Sequence, residues 1–173
     1  MKQQSTVETL LWSTVLVSVV GLLGFAYYKQ YVDYLDPCPL CITQRLFYYT
    51  SGIVALVALL GRGFRRVQLF SAFTLIAAAI GGIVTAGRQV WLQHLPTDQI
   101  PACGPGLQYW LENMPLSQTI QLLFKGDGNC AEVQWVFLGL SMGEWSLVCF
   151  VGLMLVGILL FLKKLRRETV IID

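Results

Sequence analysis

The sequence predicts an all-α membrane protein, a four-transmembrane-helix bundle forming one integral membrane domain over 1–173, on three observations. Apolar residues make up 55% of the 173 and charged residues only 13%, which is more apolar surface than a soluble domain of this size can bury. Four runs, Leu10–Tyr28, Ile42–Leu60, Val67–Gly87 and Trp145–Leu162, are long enough to cross about 30 Å of hydrocarbon at about 1.5 Å per residue. The basic residues gather at two places, Arg62, Arg65 and Arg66 between the second and third runs, and Lys163, Lys164, Arg166 and Arg167 after the fourth. Positive charge of this kind marks cytoplasmic ends, so the net charge of +2 reflects topology and not a nucleic-acid patch. Both termini are then cytoplasmic, and the outer loops, about 29–41 and 95–144, face the opposite side.

The first run begins close to Met1 and follows Lys2, as a secretory signal would. Its length, and the bulky Phe25-Ala26-Tyr27-Tyr28 where a peptidase needs small side chains, make it a span, with Tyr27 and Tyr28 as interfacial anchors. The short first outer loop delivers Pro37-Cys38-Pro39-Leu40-Cys41-Ile42-Thr43-Gln44-Arg45. A residue before proline is pushed out of the helical region and proline suits the first helical position, so Cys38 is the expected N-cap. Cys41 then falls in the first turn, where free N–H groups and the helix dipole favour a thiolate. Arg45 lies four residues on, on the same face. A cation and a helix N-terminus acting on one sulfur describe a reactive cysteine.

The inner turn Gly61–Arg66 is too small to hold a site. The third run carries Ala77, Ala78, Ala79, Gly81, Gly82 and Ala86, small residues that let helices approach closely. Beyond it, the second outer loop is the one substantial water-exposed segment. Leu116, Ile120, Leu123 and Phe124 recur there at helical spacing after Pro115 and predict a short amphipathic helix on the membrane surface. Cys103 precedes Gly104-Pro105-Gly106 and Cys130 follows Gly126-Asp127-Gly128-Asn129, so both are expected in mobile, turn-rich surroundings.

Of five cysteines, Cys38, Cys41, Cys103 and Cys130 lie on the outer side and Cys149 within the fourth run. Four cysteines in an oxidising compartment allow three pairings; Cys38–Cys41 with Cys103–Cys130 is the one adopted for the resting state. Glycine-flanked, exposed bridges are typically the labile kind. Cys149, in apolar surroundings, reads as a small buried hydrophobe. Ile42 after Cys41 excludes the haem-attachment motif. One CxxC and the single histidine, His94, supply a zinc site poorly, and no nucleotide fingerprint occurs.

With these residues in view, the chain resembles the disulfide bond formation protein B (DsbB) family of quinone-linked thiol oxidases over nearly its whole length. The resemblance rests on Pro37-Cys38-Pro39-Leu40-Cys41 with Arg45, Gly87-Arg88-Gln89-Val90-Trp91-Leu92-Gln93, Pro101-Ala102-Cys103-Gly104-Pro105, Gly128-Asn129-Cys130-Ala131-Glu132, Gln134-Trp135, Phe137-Leu138-Gly139 and Trp145. It implies a protein-dithiol:quinone oxidoreductase of the bacterial inner membrane that reoxidises a periplasmic DsbA-like thioredoxin-fold protein and passes the electrons to the quinone pool, ubiquinone or menaquinone. The partner attacks through Cys103, Cys130 relays to Cys38, and Cys41 is freed beside a quinone that Arg45, and by alignment Gln89 and Gln93, would help hold. Two departures stand out. Gln89 occupies the place where some members carry a quinone-associated histidine, with His94 the alternative if the helix ends differently, and Met142-Gly143 replaces a common methionine-proline. The rivals are an oxidase of vitamin K epoxide reductase type, which does not share the spacing of the loop cysteines, and a nonenzymatic tetraspan scaffold with two structural disulfides, which leaves Arg45 unexplained.

Overall fold

The computed structural model describes residues 2–104 and 107–172, with side chains over 6–104, 109–110 and 112–165. The side chains of Lys2, Arg166 and Arg167, and all of Pro105 and Gly106, which entered the sequence reading, lie outside that set. Four long helices form the bundle: α1 (Lys2–Val32), α2 (Pro39–Leu60), α3 (Arg65–Gln93) and, after the second loop, α6 (Met142–Ile172). Among the described residues, the stretches apolar enough to span a membrane are Thr6–Val32, Pro39–Leu60, Arg65–Gln93 and Met142–Leu165. Each is longer than its apolar run, because a helix continues into polar surroundings as long as its backbone bonds are made. The start of α6 at Met142 places the Met142-Gly143 departure in its first turn.

The start of α2 follows from its sequence. Cys38 is extended (φ −67°, ψ 163°) and caps the helix, its sulfur accepting the Cys41 N–H at 3.3 Å, with Pro39 at the first helical position. Gly61 caps the other end, and the short turn to Arg65 makes α2 and α3 antiparallel neighbours. α3 packs most extensively, against both α2 and α6. Its small residues permit this: a β-carbon on Gly81 would meet the Phe47 ring at 2.5 Å and one on Gly82 the Phe150 ring at 2.3 Å. Trp12, Val15 and Val19 of α1, Ala55 and Ala58 of α2, Ala72, Leu75 and Ala79 of α3 and Phe150 of α6 close the core. Towards the basic end, Gln68 Nε2 donates to the Ala58 carbonyl at 2.6 Å while its Oε1 accepts from Trp12 Nε1 at 2.9 Å, and Lys164 pairs with Glu8 at 3.3 Å.

The second loop is built from short pieces. After a 3-10 turn at Thr97–Gln99 come α4 (Leu107–Asn113) and α5 (Leu116–Lys125). α5 leans on α2, with the Leu123 carbonyl accepting from Thr43 Oγ1 at 3.3 Å. Leu116, Ile120 and Phe124 stay exposed while Thr119 is buried, so the helix presents an apolar stripe outward, the pattern of an amphipathic surface helix. A 3-10 turn at Gly128–Cys130 follows, then a hairpin of β1 (Val136–Phe137) and β2 (Leu140–Ser141) paired antiparallel. Leu138 (φ 52°) and Gly139 (φ 82°) form its two-residue turn, both in the left-handed region that a tight type I′ hairpin requires. Trp145 Nε1 donates to the Phe137 carbonyl at 3.0 Å and Ser141 Oγ to Gln93 Oε1 at 2.8 Å, fastening the hairpin to α6 and α3.

Candidate active site

All four outer cysteines converge on the non-basic end of the bundle, but in unequal surroundings. Cys38 and Cys41 sulfurs stand 2.9 Å apart, positioned by the cap itself. Cys130 is fully buried and joins Cys38, Leu40 and Leu92 in a small cluster against Cys41. The Cys38 thiol makes hydrogen bonds to both Cys130 and Cys41. Cys38 therefore sits between two sulfurs. Its own ionisation is pushed well up, first by the Cys130 bond, then by the Cys41 bond and burial, because it serves as the donor. Cys130 is lowered, chiefly because the Cys38 thiol donates to it, with backbone N–H groups adding to the effect against the cost of burial. Between Cys38 and Cys130, this favours the proton on Cys38 and the charge on Cys130.

Cys103 is exposed and is held by a clamp. Gly128 N donates to the Ala102 carbonyl at 3.3 Å, Asp127 Oδ2 accepts from Gly104 N at 3.0 Å, and Asn129 Nδ2 donates to the Gly104 carbonyl at 3.3 Å. Asp127, itself buried, also caps the Cys130 turn by accepting from Asn129 N at 3.1 Å, and the Cys130 thiol points to its Oδ1 at 3.8 Å. The turn-rich surroundings expected for the loop cysteines include the 3-10 turn that carries Cys130. The flanking glycines serve close backbone approach, and one carboxylate ties the two segments together.

Cys41 and Arg45 lie on the wall of a cavity of about 250 Å³, with Gln44, Tyr48, Met142, Trp135, Trp145, Ser146 and Cys149, and Leu22, Leu23, Phe25 and Ala26 of α1. A narrower cleft of about 50 Å³ adjoins it on the loop side, reached by Cys38, Cys41, Arg45, Gln89, Gln93 and Glu132. Arg45 donates to Gln30 Oε1 and to the Ala26 carbonyl and lies 4.8 Å over the Tyr27 ring, so α1 holds this side chain where it lines both spaces together with Cys41. Gln89, nearly fully buried, donates to the Cys41 sulfur at 3.4 Å and accepts from Gln44 at 2.8 Å. Gln93 reaches only the cleft and spends its carbonyl on Ser141. His94 caps α3, its Nδ1 2.8 Å from the Val90 carbonyl, and lines neither space.

Sequence reasoning missed Gln44, Asp127 and the wall residues of the hairpin and α6. Gln44 carried a signal, a neutral amide inside an apolar run beside Arg45. The wall residues carried none, since which helices face each other is set by packing alone. Cys149, expected in apolar surroundings, has one polar neighbour in the fold, the Tyr48 hydroxyl, which also bonds Ser146 Oγ at 3.1 Å.

Comparison with known proteins adds a separate line. Residues 8–160 match the family model described as disulfide bond formation protein DsbB. Proteins named disulfide bond formation protein B are similar to this chain in Hahella chejuensis (45% identical over 87% of this chain and 91% of the relative), Acinetobacter baumannii (46% over 82% and 83%) and Psychrobacter arcticus (39% over 98% and 97%).

Proposed function

The chain belongs to the DsbB family, and on that footing we propose that it reoxidises a periplasmic DsbA-like dithiol protein and delivers the electrons to a membrane quinone. Its class is settled by that membership: a membrane protein that mediates disulfide bond formation, a protein-disulfide:quinone oxidoreductase. The observation that carries the finer reading is the gradation of the sulfurs. Cys103 is exposed to a soluble partner, Cys130 is buried against Cys38, and Cys41 stands on the wall of an apolar cavity.

The resting pairing adopted is Cys103–Cys130 with Cys38–Cys41. A partner thiolate attacks Cys103, the S–S bond breaks and its electron pair leaves on Cys130. Cys130 attacks Cys38 and expels Cys41 as a thiolate. When the partner's second thiol closes its own disulfide, Cys103 is released, retakes Cys130, and leaves Cys38 and Cys41 reduced. The lowered Cys130 suits this relay, since the thiolate is the nucleophile. The residues present fit a quinone: an apolar cavity, a guanidinium beside it, and an amide acceptor on its wall. When bound, a quinone would supply a sink for the two electrons and two protons given up as Cys38 and Cys41 close their disulfide. Arg62, Lys163 and Lys164 lie at the opposite end of the helices from the site, which supports a periplasmic site in the bacterial inner membrane with both termini cytoplasmic.

The test is Cys103→Ser. Oxidation of the soluble partner should be abolished while Cys38–Cys41 still forms in the presence of quinone; normal partner turnover would remove Cys103 as the entry point.

A further inference from the structure

Two neutral amides are buried beside the reacting sulfur, and their hydrogen bonds run in one direction. Gln89 Nε2 donates to the Cys41 sulfur at 3.4 Å, and Gln89 Oε1 accepts from Gln44 Nε2 at 2.8 Å. A thiolate can only accept, so it fixes the orientation of Gln89, which in turn makes Gln44 a donor towards it. The atom left over is Gln44 Oε1. Among the described residues it has no hydrogen-bond partner, although Gln44 is only 4% exposed. No fully enclosed side-chain oxygen or nitrogen lacks a partner among those residues, so this oxygen must open onto a space, and Gln44 lines the 250 Å³ cavity. An acceptor without a donor, on the wall of an otherwise apolar cavity, selects a ligand that brings a hydrogen to it.

We infer that Gln44 Oε1 recognises a ring hydroxyl of the reduced carrier, making Gln44 a specificity-determining residue that favours the quinol over the quinone. This rests on the quinone reading above. A quinone carbonyl has no hydrogen to offer Gln44 and takes its donor from Arg45, so the cavity meets the oxidised and reduced rings with opposite chemistry. Cys41, through Gln89, holds Gln44 in the orientation that presents its oxygen.

The experiment is equilibrium binding, read by quenching of the fluorescence of Trp135 and Trp145 on the cavity wall. The full chain carries Cys38→Ser so that no electrons are exchanged. The probes are a short-chain ubiquinone, its quinol, and the quinol dimethyl ether, which has the ring but no hydroxyl hydrogen. In the parent the quinol should bind roughly tenfold more tightly than the ether, the worth of one buried hydrogen bond. Gln44→Leu should erase that difference, weakening the quinol roughly tenfold and leaving the quinone and ether unchanged. Equal binding of quinol and ether to the parent, or a parallel loss of all three probes in the variant, would overturn the role given to Gln44. Absence of any binding of quinone and quinol to the parent would overturn the carrier reading itself.

Discussion

A β-carbon added at Gly128 would lie 2.4 Å from the Pro101 carbonyl oxygen and 3.0 Å from the Cys103 sulfur. Carbon and oxygen come to rest at about 3.3 Å, so in Gly128→Ala the arm carrying Cys103 must retreat by about 1 Å. The retreat stretches the bond from Gly128 N to the Ala102 carbonyl, already 3.3 Å, and the Asp127 bond to Gly104 at 3.0 Å. Each is worth on the order of 1 kcal/mol, and a reacting atom misplaced by about 1 Å costs about a hundredfold in rate. The assay is single-turnover oxidation of a reduced DsbA-like partner without added quinone, alongside quinone binding by tryptophan quenching. The expected result is a fall of about a hundredfold in the first with no change in the second. An undiminished rate would refute the clamp as what presents Cys103 to the partner; a matching loss of quinone binding would show that the substitution acts through the bundle.

Arg45→Met removes the guanidinium bonded to Gln30 and Ala26 and keeps much of the stem, so the quinone KM should rise roughly a hundredfold if about 3 kcal/mol is lost, with Arg45→Lys between; an unchanged quinone dependence would reduce Arg45 to an anchor. Cys130→Ser should trap the partner on Cys103 as a mixed disulfide on a non-reducing gel, and no adduct with a partner lacking its resolving cysteine would count against the relay. In the reduced protein carrying Cys41→Ser, ultraviolet thiolate absorbance should follow Cys130 titrating below the ordinary thiol range, because the Cys38 thiol donates to it. Removing that donor with Cys38→Ala leaves the thiolate less stabilised, so the titration should move up. Identical titration with and without Cys38 would contradict the assignment.

What could be read from the sequence followed local rules. The proline after Cys38 dictated the cap, and with it the position of Cys41 and the face it shares with Arg45. The small residues of α3 announced close packing, which Phe47 and Phe150 exploit. The burial of Cys130 was not legible, because Asp127 ties its turn to Gly104, a bond made across 23 positions of sequence. Leu138 also hid the hairpin, since a bulky residue at positive φ runs against turn preferences and is held there by strand pairing and by Trp145 on the Phe137 carbonyl. The cavity was least visible of all, as its wall combines α1, α2, the hairpin and α6 in an arrangement that no local pattern encodes.

The sparse contact between α1 and α6 has a kinetic corollary. Leu22, Leu23 and Phe25 border the cavity on the α1 side and Trp145 and Cys149 on the α6 side, so a carrier reaching it from the acyl chains would pass between those two helices. A hydrophobic carrier entering that way is sampled at its mole fraction in the bilayer and not at its concentration in the bulk solution. Turnover should therefore obey surface dilution: adding lipid at constant total quinone slows the enzyme, and adding buffer at a constant lipid-to-quinone ratio does not.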